Sequence, residues 1–168
     1  MQYIKGEILT QNGFKKKYIA FEKNRMPEFG TGLPPEKPLA DGLIVPTFVN
    51  AHTHIGDSFI NKKDVKLPRD VAELVAPPNG LKHKLLKKTS EEEIIDGMKT
   101  SIDTMIKSGI SYFCDFREDG NKGLNQLQKA LKNKKIKSII LSRPQQMLYD
   151  KNEINLLLKN STGIGLSS

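Results

Sequence analysis

Hydrophobic positions follow two patterns along this chain, and the change between them predicts its organisation. Over residues 1–29 they alternate loosely with polar ones. Tyr3-Ile4-Lys5-Gly6-Glu7-Ile8-Leu9 reads as a strand, Gln11-Asn12-Gly13 as a turn, and Lys17-Tyr18-Ile19-Ala20-Phe21 as a returning strand of a hairpin. Residues 30–38 hold two glycines and three prolines, too many breakers for a regular element. The pattern predicts a small β element, a Pro/Gly linker and a boundary near residue 40.

Beyond that boundary the apolar runs become continuous and are separated by helical spacing. Residues 42–50, Gly-Leu-Ile-Val-Pro-Thr-Phe-Val-Asn, suit a strand buried on both faces of a parallel sheet, with Pro46 making its course irregular. Residues 56–88 lack strong periodicity and leave room for short helices at 69–76 and 81–88, with Pro77-Pro78 as a break. An insertion of about 30 residues directly after a core strand is of the length that usually carries function. Ser90-Glu91-Glu92-Glu93 is a capping box. Ile94, Met98, Ile102 and Met105/Ile106 form one apolar stripe, closed by Lys107 and Gly109. A strand follows at 110–116, then a helix at 121–134 with Leu124, Leu127 and Leu131 inward, and a strand at 136–142. A helix capped at Asp150 runs to about 159, and a further strand covers 163–168. Strands alternating with helices imply right-handed crossovers and a parallel sheet.

Composition narrows the picture. The 168 residues carry a net charge of +8, but 23 of the 27 cationic side chains are Lys, a bias that serves solubility better than the bidentate contacts of a nucleic-acid reader. No apolar run approaches the ~20 residues of a membrane span and no secretory leader precedes the first strand, so no membrane partner is expected and the chain reads as cytoplasmic. Cys114 is the single cysteine, set among apolar strand residues and expected to be packed. Phosphate loops, dinucleotide fingerprints and nucleophile elbows are missing. A complete (β/α)8 barrel needs about 250 residues, more than this sequence has.

One segment carries chemistry. His52 and His54, at i and i+2 of an extended segment, face the same way at the C-terminal end of the first core strand. Two neutral imidazoles so placed can reach one divalent ion at ~2.0–2.1 Å. A bare H-x-H of two ordinary loop histidines is the alternative from spacing alone.

The run from Gly42 through Pro46-Thr47-Phe48-Val49-Asn50-Ala51-His52-Thr53-His54 resembles the signature of the amidohydrolase superfamily. These are metal-dependent hydrolases and deaminases, including dihydroorotase, imidazolonepropionase, cytosine deaminase and chlorohydrolases. Thr47 stands where a glycine usually follows the proline. The resemblance implies an α/β fold: the N-terminal part of a (β/α)8 TIM-type barrel, about the first four strands over 41–168, preceded by a small β-strand wing over 1–40. It also implies a divalent metal ion on His52 and His54, zinc first, with iron, manganese or nickel as alternatives. Water activated by that metal would attack a C–N centre of a small-molecule substrate. The further ligands and the general base of such enzymes follow later strands. The chain is therefore expected to be an incomplete, inactive portion whose partner is the missing half of the barrel or a second copy. The competing reading is a short basic α/β protein that binds an anionic partner and has an incidental H-x-H.

Five more residues are candidates for the substrate side. Asp57 lies just past the histidines and would orient a ligand or cap the next turn. His83 sits in the long insertion, where it is either solvated or a contact from a lid. Arg117 and Glu118 belong to Asp115-Phe116-Arg117-Glu118-Asp119-Gly120, a charge cluster that reads as a solvated helix start. Arg143 follows the next strand.

Overall fold

The structure is a computed structural model that describes residues 1–76, 79–145 and 149–166. Its contacts divide the chain into two compact units, Met1–Thr47 and Phe48–Ser168. The first is a four-stranded sheet of order β3-β2-β1-β4. β1 (Gln2–Thr10) and β2 (Gly13–Phe21) form the expected hairpin, from Gln2 opposite Phe21 to Thr10 opposite Gly13. β3 (Glu28–Gly30) extends the far side of β2, and β4 (Ala40–Ile44) runs parallel to β1. Tyr3, Ile8 and Ala20 are its buried apolar residues. Gly6 is required where β1 meets β4, because a Cβ there would lie 1.7 Å from the Gly42 carbonyl oxygen.

The run at 42–50 is therefore not one doubly buried strand. Its first part joins the wing as β4, residues 45–47 are irregular, and its second part opens the other sheet as β5 (Phe48–Thr53). Pro46 has no N–H to give a ladder, and the break falls at it. Nor is β5 buried on both faces, since Phe48 is 59% and Val49 64% exposed.

In the second unit β5 is followed by a 3-10 helix (Ile55–Lys62), α1 (Val71–Val75), α2 (Leu81–Lys88) and α3 (Glu91–Lys107). β6 (Ile110–Arg117), α4 (Gly120–Leu131), β7 (Lys137–Ser142), α5 (Lys151–Asn160) and β8 (Gly163–Ile164) complete it. The strands pair in parallel in the order β5-β6-β7-β8. These are the first βα units of a (β/α)8 barrel preceded by a β wing, as expected. The capping box is formed: the Glu93 amide donates to Ser90 Oγ at 3.2 Å and the Ser90 amide to Glu93 Oε2 at 3.3 Å.

The core lies between the sheet and its helices. Met98, Ile102 and Met105 of α3 and Leu124 and Leu127 of α4 pack with Phe113, Ile140 and Leu157. Phe59 of the 3-10 helix joins them, pressed so close to α3 that a Cβ on Gly97 would come within 2.4 Å of the Phe59 backbone nitrogen. Along β6 burial alternates: Phe113, Asp115 and Arg117 are buried, while Tyr112 is exposed and Cys114 and Phe116 are half-buried. The expectation of a solvated charge cluster is thereby corrected, because Asp115 is 0% and Arg117 4% exposed. The cluster begins inside the strand, where the period of two turns both side chains toward the helices. The 3-10 helix had no sequence signal, since Gly56-Asp57-Ser58 breaks any α-helical stripe. The expected Pro77-Pro78 break and the end of the last strand at 167–168 lie outside the described residues. Among the described residues no helix is long and apolar enough to cross a membrane.

Candidate functional site

Strand β5 ends by carrying His52 and His54 to the exposed rim of the sheet, with their Nε2 atoms 3.1 Å apart. The regular ladder to β6 shifts register between Asn50 and Thr53, so the histidines sit on an irregular strand end. Phe116 of β6 backs both rings. It stacks on His52 with centroids 4.4 Å apart and planes at 26°, and lies 5.7 Å from His54.

Beneath the pair is a buried carboxylate. Asp115 Oδ1 accepts from the Ile55 amide at 2.8 Å and lies 3.0 Å from Thr53 Oγ1, whose hydroxyl is also 2.9 Å from the Cys114 carbonyl. Asp115 Oδ2 faces Arg117 Nη1 at 3.8 Å, and neither atom has a hydrogen bond among the described residues. Burial pushes the Asp115 carboxyl above its ordinary value, against the opposing pull of the Arg117 charge and of the bonds from Ile55 and Thr53. Burial and the neighbouring Asp115 charge likewise raise the Cys114 thiol, which leaves it a poor nucleophile.

A second group of charges lies around Lys82, a buried lysine of α2. Its Nζ is 3.0 Å from Asp57 Oδ2 and 3.1 Å from Glu118 Oε2, and Glu118 Oε1 is 3.2 Å from Arg143 Nη2. Burial raises the Glu118 carboxyl, but Lys82 and Arg143 outweigh it and hold the group below its ordinary value. Three of the five substrate-side candidates, Asp57, Glu118 and Arg143, thus meet around one lysine. Arg117 sits beside them, its guanidinium filling the space where a Cβ on Gly56 would fall, within 1.9–2.3 Å. His83 stands apart, with its Nε2 3.1 Å from the Val75 carbonyl at the end of α1.

Two residues of this site escaped the sequence reading. Lys82 looked like one lysine of a basic segment, and Asp115 like a surface carboxylate. The usable signal for Asp115 was its place in the strand, two residues after buried Phe113 and two before Arg117.

The histidine pair fits a metal ion. Two donors on one ion at ~2.0–2.1 Å stand ~2.8–3.0 Å apart in octahedral and ~3.3–3.4 Å apart in tetrahedral geometry, and the observed 3.1 Å lies between the two. The same spacing also permits a hydrogen bond from one neutral ring to the other. Among the described residues no third His, Cys, Asp or Glu joins the pair in a ligand cluster.

Comparison with known proteins bears on this geometry. The profile of the amidohydrolase family matches residues 43–163. An uncharacterized protein of Methanocaldococcus jannaschii is 49% identical over 127 residues, 75% of this chain and 32% of its own length. A putative aminohydrolase of Methanothermobacter thermautotrophicus is 40% identical over 101 residues, 60% of this chain and 26% of its own. The chain therefore spans between about a quarter and a third of the length of these relatives. Among solved structures, guanine deaminase from C. acetobutylicum with bound guanine superposes with a TM-score of 0.66 at 14% identity, covering 94% of this chain and 41% of that one. The atrazine chlorohydrolase of Arthrobacter aurescens TC1 complexed with zinc gives 0.63 at 12% identity, covering 95% and 42%. At such identities the superpositions show the fold. With the profile covering most of the sequence and the histidine pair at the end of its first barrel strand, the chain belongs to the amidohydrolase family.

Proposed function

We propose that this chain contributes the metal-holding first strand, and the neighbouring rim, of a hydrolase or deaminase that acts on C–N bonds of a small molecule. The observation that carries this reading is the convergence of the His52 and His54 Nε2 atoms, 3.1 Å apart at an exposed strand end, in a chain of amidohydrolase sequence. His52 and His54 would hold a divalent ion, zinc first because the chlorohydrolase neighbour is complexed with zinc. Such an ion supplies the Lewis acidity that makes water nucleophilic near neutral pH. The pair binds through neutral imidazole, so protonation competes with the metal. Phe116 covers one side of the rings and limits the approach of water from that side. The ionic group around Lys82 ties α2 of the long insertion to the ends of β6 and β7 and so shapes the substrate side of the rim. Neighbours named for guanine and 5-methylcytosine deamination make an amino-substituted heterocycle the first substrate class to try.

Among the described residues the carboxylates the structure gathers at this rim already have partners. Asp115 is enclosed, and Asp57 and Glu118 are engaged by Lys82. The chain by itself should therefore hold zinc weakly and turn over little, with catalysis requiring a polypeptide that supplies further ligands and a base. The test is ammonia release from a panel of amino-substituted purines, pyrimidines and triazines by metal-stripped and zinc-reloaded protein. Activity that returns with zinc when complementary barrel strands are present, and not in their absence, supports the reading. Full turnover by this chain alone, or activity indifferent to His52→Ala, would overturn it.

A further inference from the structure

The histidine pair is exposed and lies where the ladder loses its register, so neither burial nor regular strand pairing fixes the two rings. The contact between the two Nε2 atoms, 3.1 Å apart, and the Phe116 stack hold the rings side by side, but the backbone that carries them needs a restraint of its own. Asp115 is the only buried side chain among the described ones whose hydrogen bonds reach both neighbours of His54. Its Oδ1 meets the Thr53 hydroxyl on one side at 3.0 Å and the Ile55 amide on the other at 2.8 Å. The carboxylate is itself backed by Arg117, which lies against the bare backbone of Gly56 one residue further on. Phe116, the next residue along β6, presses on the rings from the opposite face of the strand.

We infer that Asp115 is the positioning residue of the histidine pair, clamping the backbone on both sides of His54 so that His52 and His54 converge on one point. It touches neither ring nitrogen and acts only through Thr53 and Ile55. The inference rests on the metal reading for its purpose, but the clamp itself exists without metal and can be tested without it. A purely structural role, satisfying the first amide of the 3-10 helix, would affect folding and leave the ring geometry of the folded protein unchanged.

The experiment is NMR of the three histidine rings in the full chain, first free of metal and then titrated with zinc chloride alone. His83, bonded to Val75, is an internal reference on another element. In wild-type protein the Phe116 ring current should shift the His52 ring protons, and zinc should move His52 and His54 but not His83. Asp115→Ala should move the metal-free resonances of His52 and His54 toward solvent-exposed values and weaken zinc binding roughly tenfold or more, within the range for outer-shell partners of metal ligands. Asp115→Asn, which keeps an oxygen acceptor, should recover most of both. If Asp115→Ala does not fold, Thr53→Val removes one arm of the clamp, together with the hydroxyl's contact to the Cys114 carbonyl, and should shift the same resonances, with Thr53→Ser restoring them. Unchanged ring positions and zinc affinity in a folded Asp115→Ala or Thr53→Val would overturn the inference. A wild type whose histidines ignore zinc would instead sink the metal reading, while the metal-free shifts would still report on the clamp.

Discussion

The two sides of the strand ends treat polar side chains in opposite ways. On the open side, His52 and His54 are exposed, have each other as their close polar neighbours, and rest on one aromatic ring. On the helix side, buried Lys82 pairs with Asp57 and Glu118, Glu118 also pairs with Arg143, and buried Arg117 faces Asp115 and the Glu118 carbonyl. A group prepared for a ligand keeps a donor free, whereas a group that fixes loops uses its charges internally. On the proposed reading the histidine side takes the metal and the Lys82 side braces the loops that shape the rim, whereas the sequence pointed to Asp57, Arg117, Glu118 and Arg143 only as substrate-side candidates. The difference also predicts that mutations on the two sides separate: one set should change binding with little loss of stability, the other the reverse.

Replacing both histidines, His52→Ala with His54→Ala, makes the sharpest cut. Zinc binding measured by equilibrium dialysis should disappear, while unfolding free energy should change by no more than about 0.5 kcal/mol, as for exposed positions. Substantial destabilisation would mean that the pair is structural. Lys82→Met cuts the other side. It leaves Asp57 without its cation and Glu118 with Arg143 alone, and should cost about 3 kcal/mol in a denaturant melt. Zinc affinity should stay within threefold of wild type, and a larger loss would erase the distinction between the sides. Gly56→Ala tests their junction, because the added methyl meets the enclosed Arg117 guanidinium and should cost about 2 kcal/mol through overpacking.

The smallest effect expected is a pH dependence. Glu118 is held below its ordinary carboxyl value, so the unfolded chain binds the proton more readily than the folded one. Its contribution to stability is complete above the ordinary value of 4.5 and fades as pH falls through the lower folded value. Glu118→Gln should flatten the acid limb of a stability-versus-pH curve in that window alone. An unchanged acid limb would place Glu118 outside the ionic brace.

How legible this was in the sequence depended on the range of the interactions involved. The capping box at Ser90, the α3 stripe and the β-α-β alternation are written locally, in caps and periods, and they stand as read. His52 and His54 were legible because spacing in an extended strand sets direction. The run at 42–50 misled because apolar character says nothing about which sheet a strand joins, and Pro46 let one run serve two sheets. Lys82 and Asp115 were hidden for a different reason. Their roles come from partners 25 to 62 residues away, and charge in a sequence is ordinarily a mark of the surface.

The central claim, that the two imidazoles form one metal half-site, is tested most directly by a crystal of the zinc-soaked protein and its anomalous difference map. The account predicts a peak ~2.0–2.1 Å from both the His52 and His54 Nε2 atoms, the zinc–imidazole distance. A map with zinc at His83 or on surface carboxylates, and nothing between the paired rings, would contradict it.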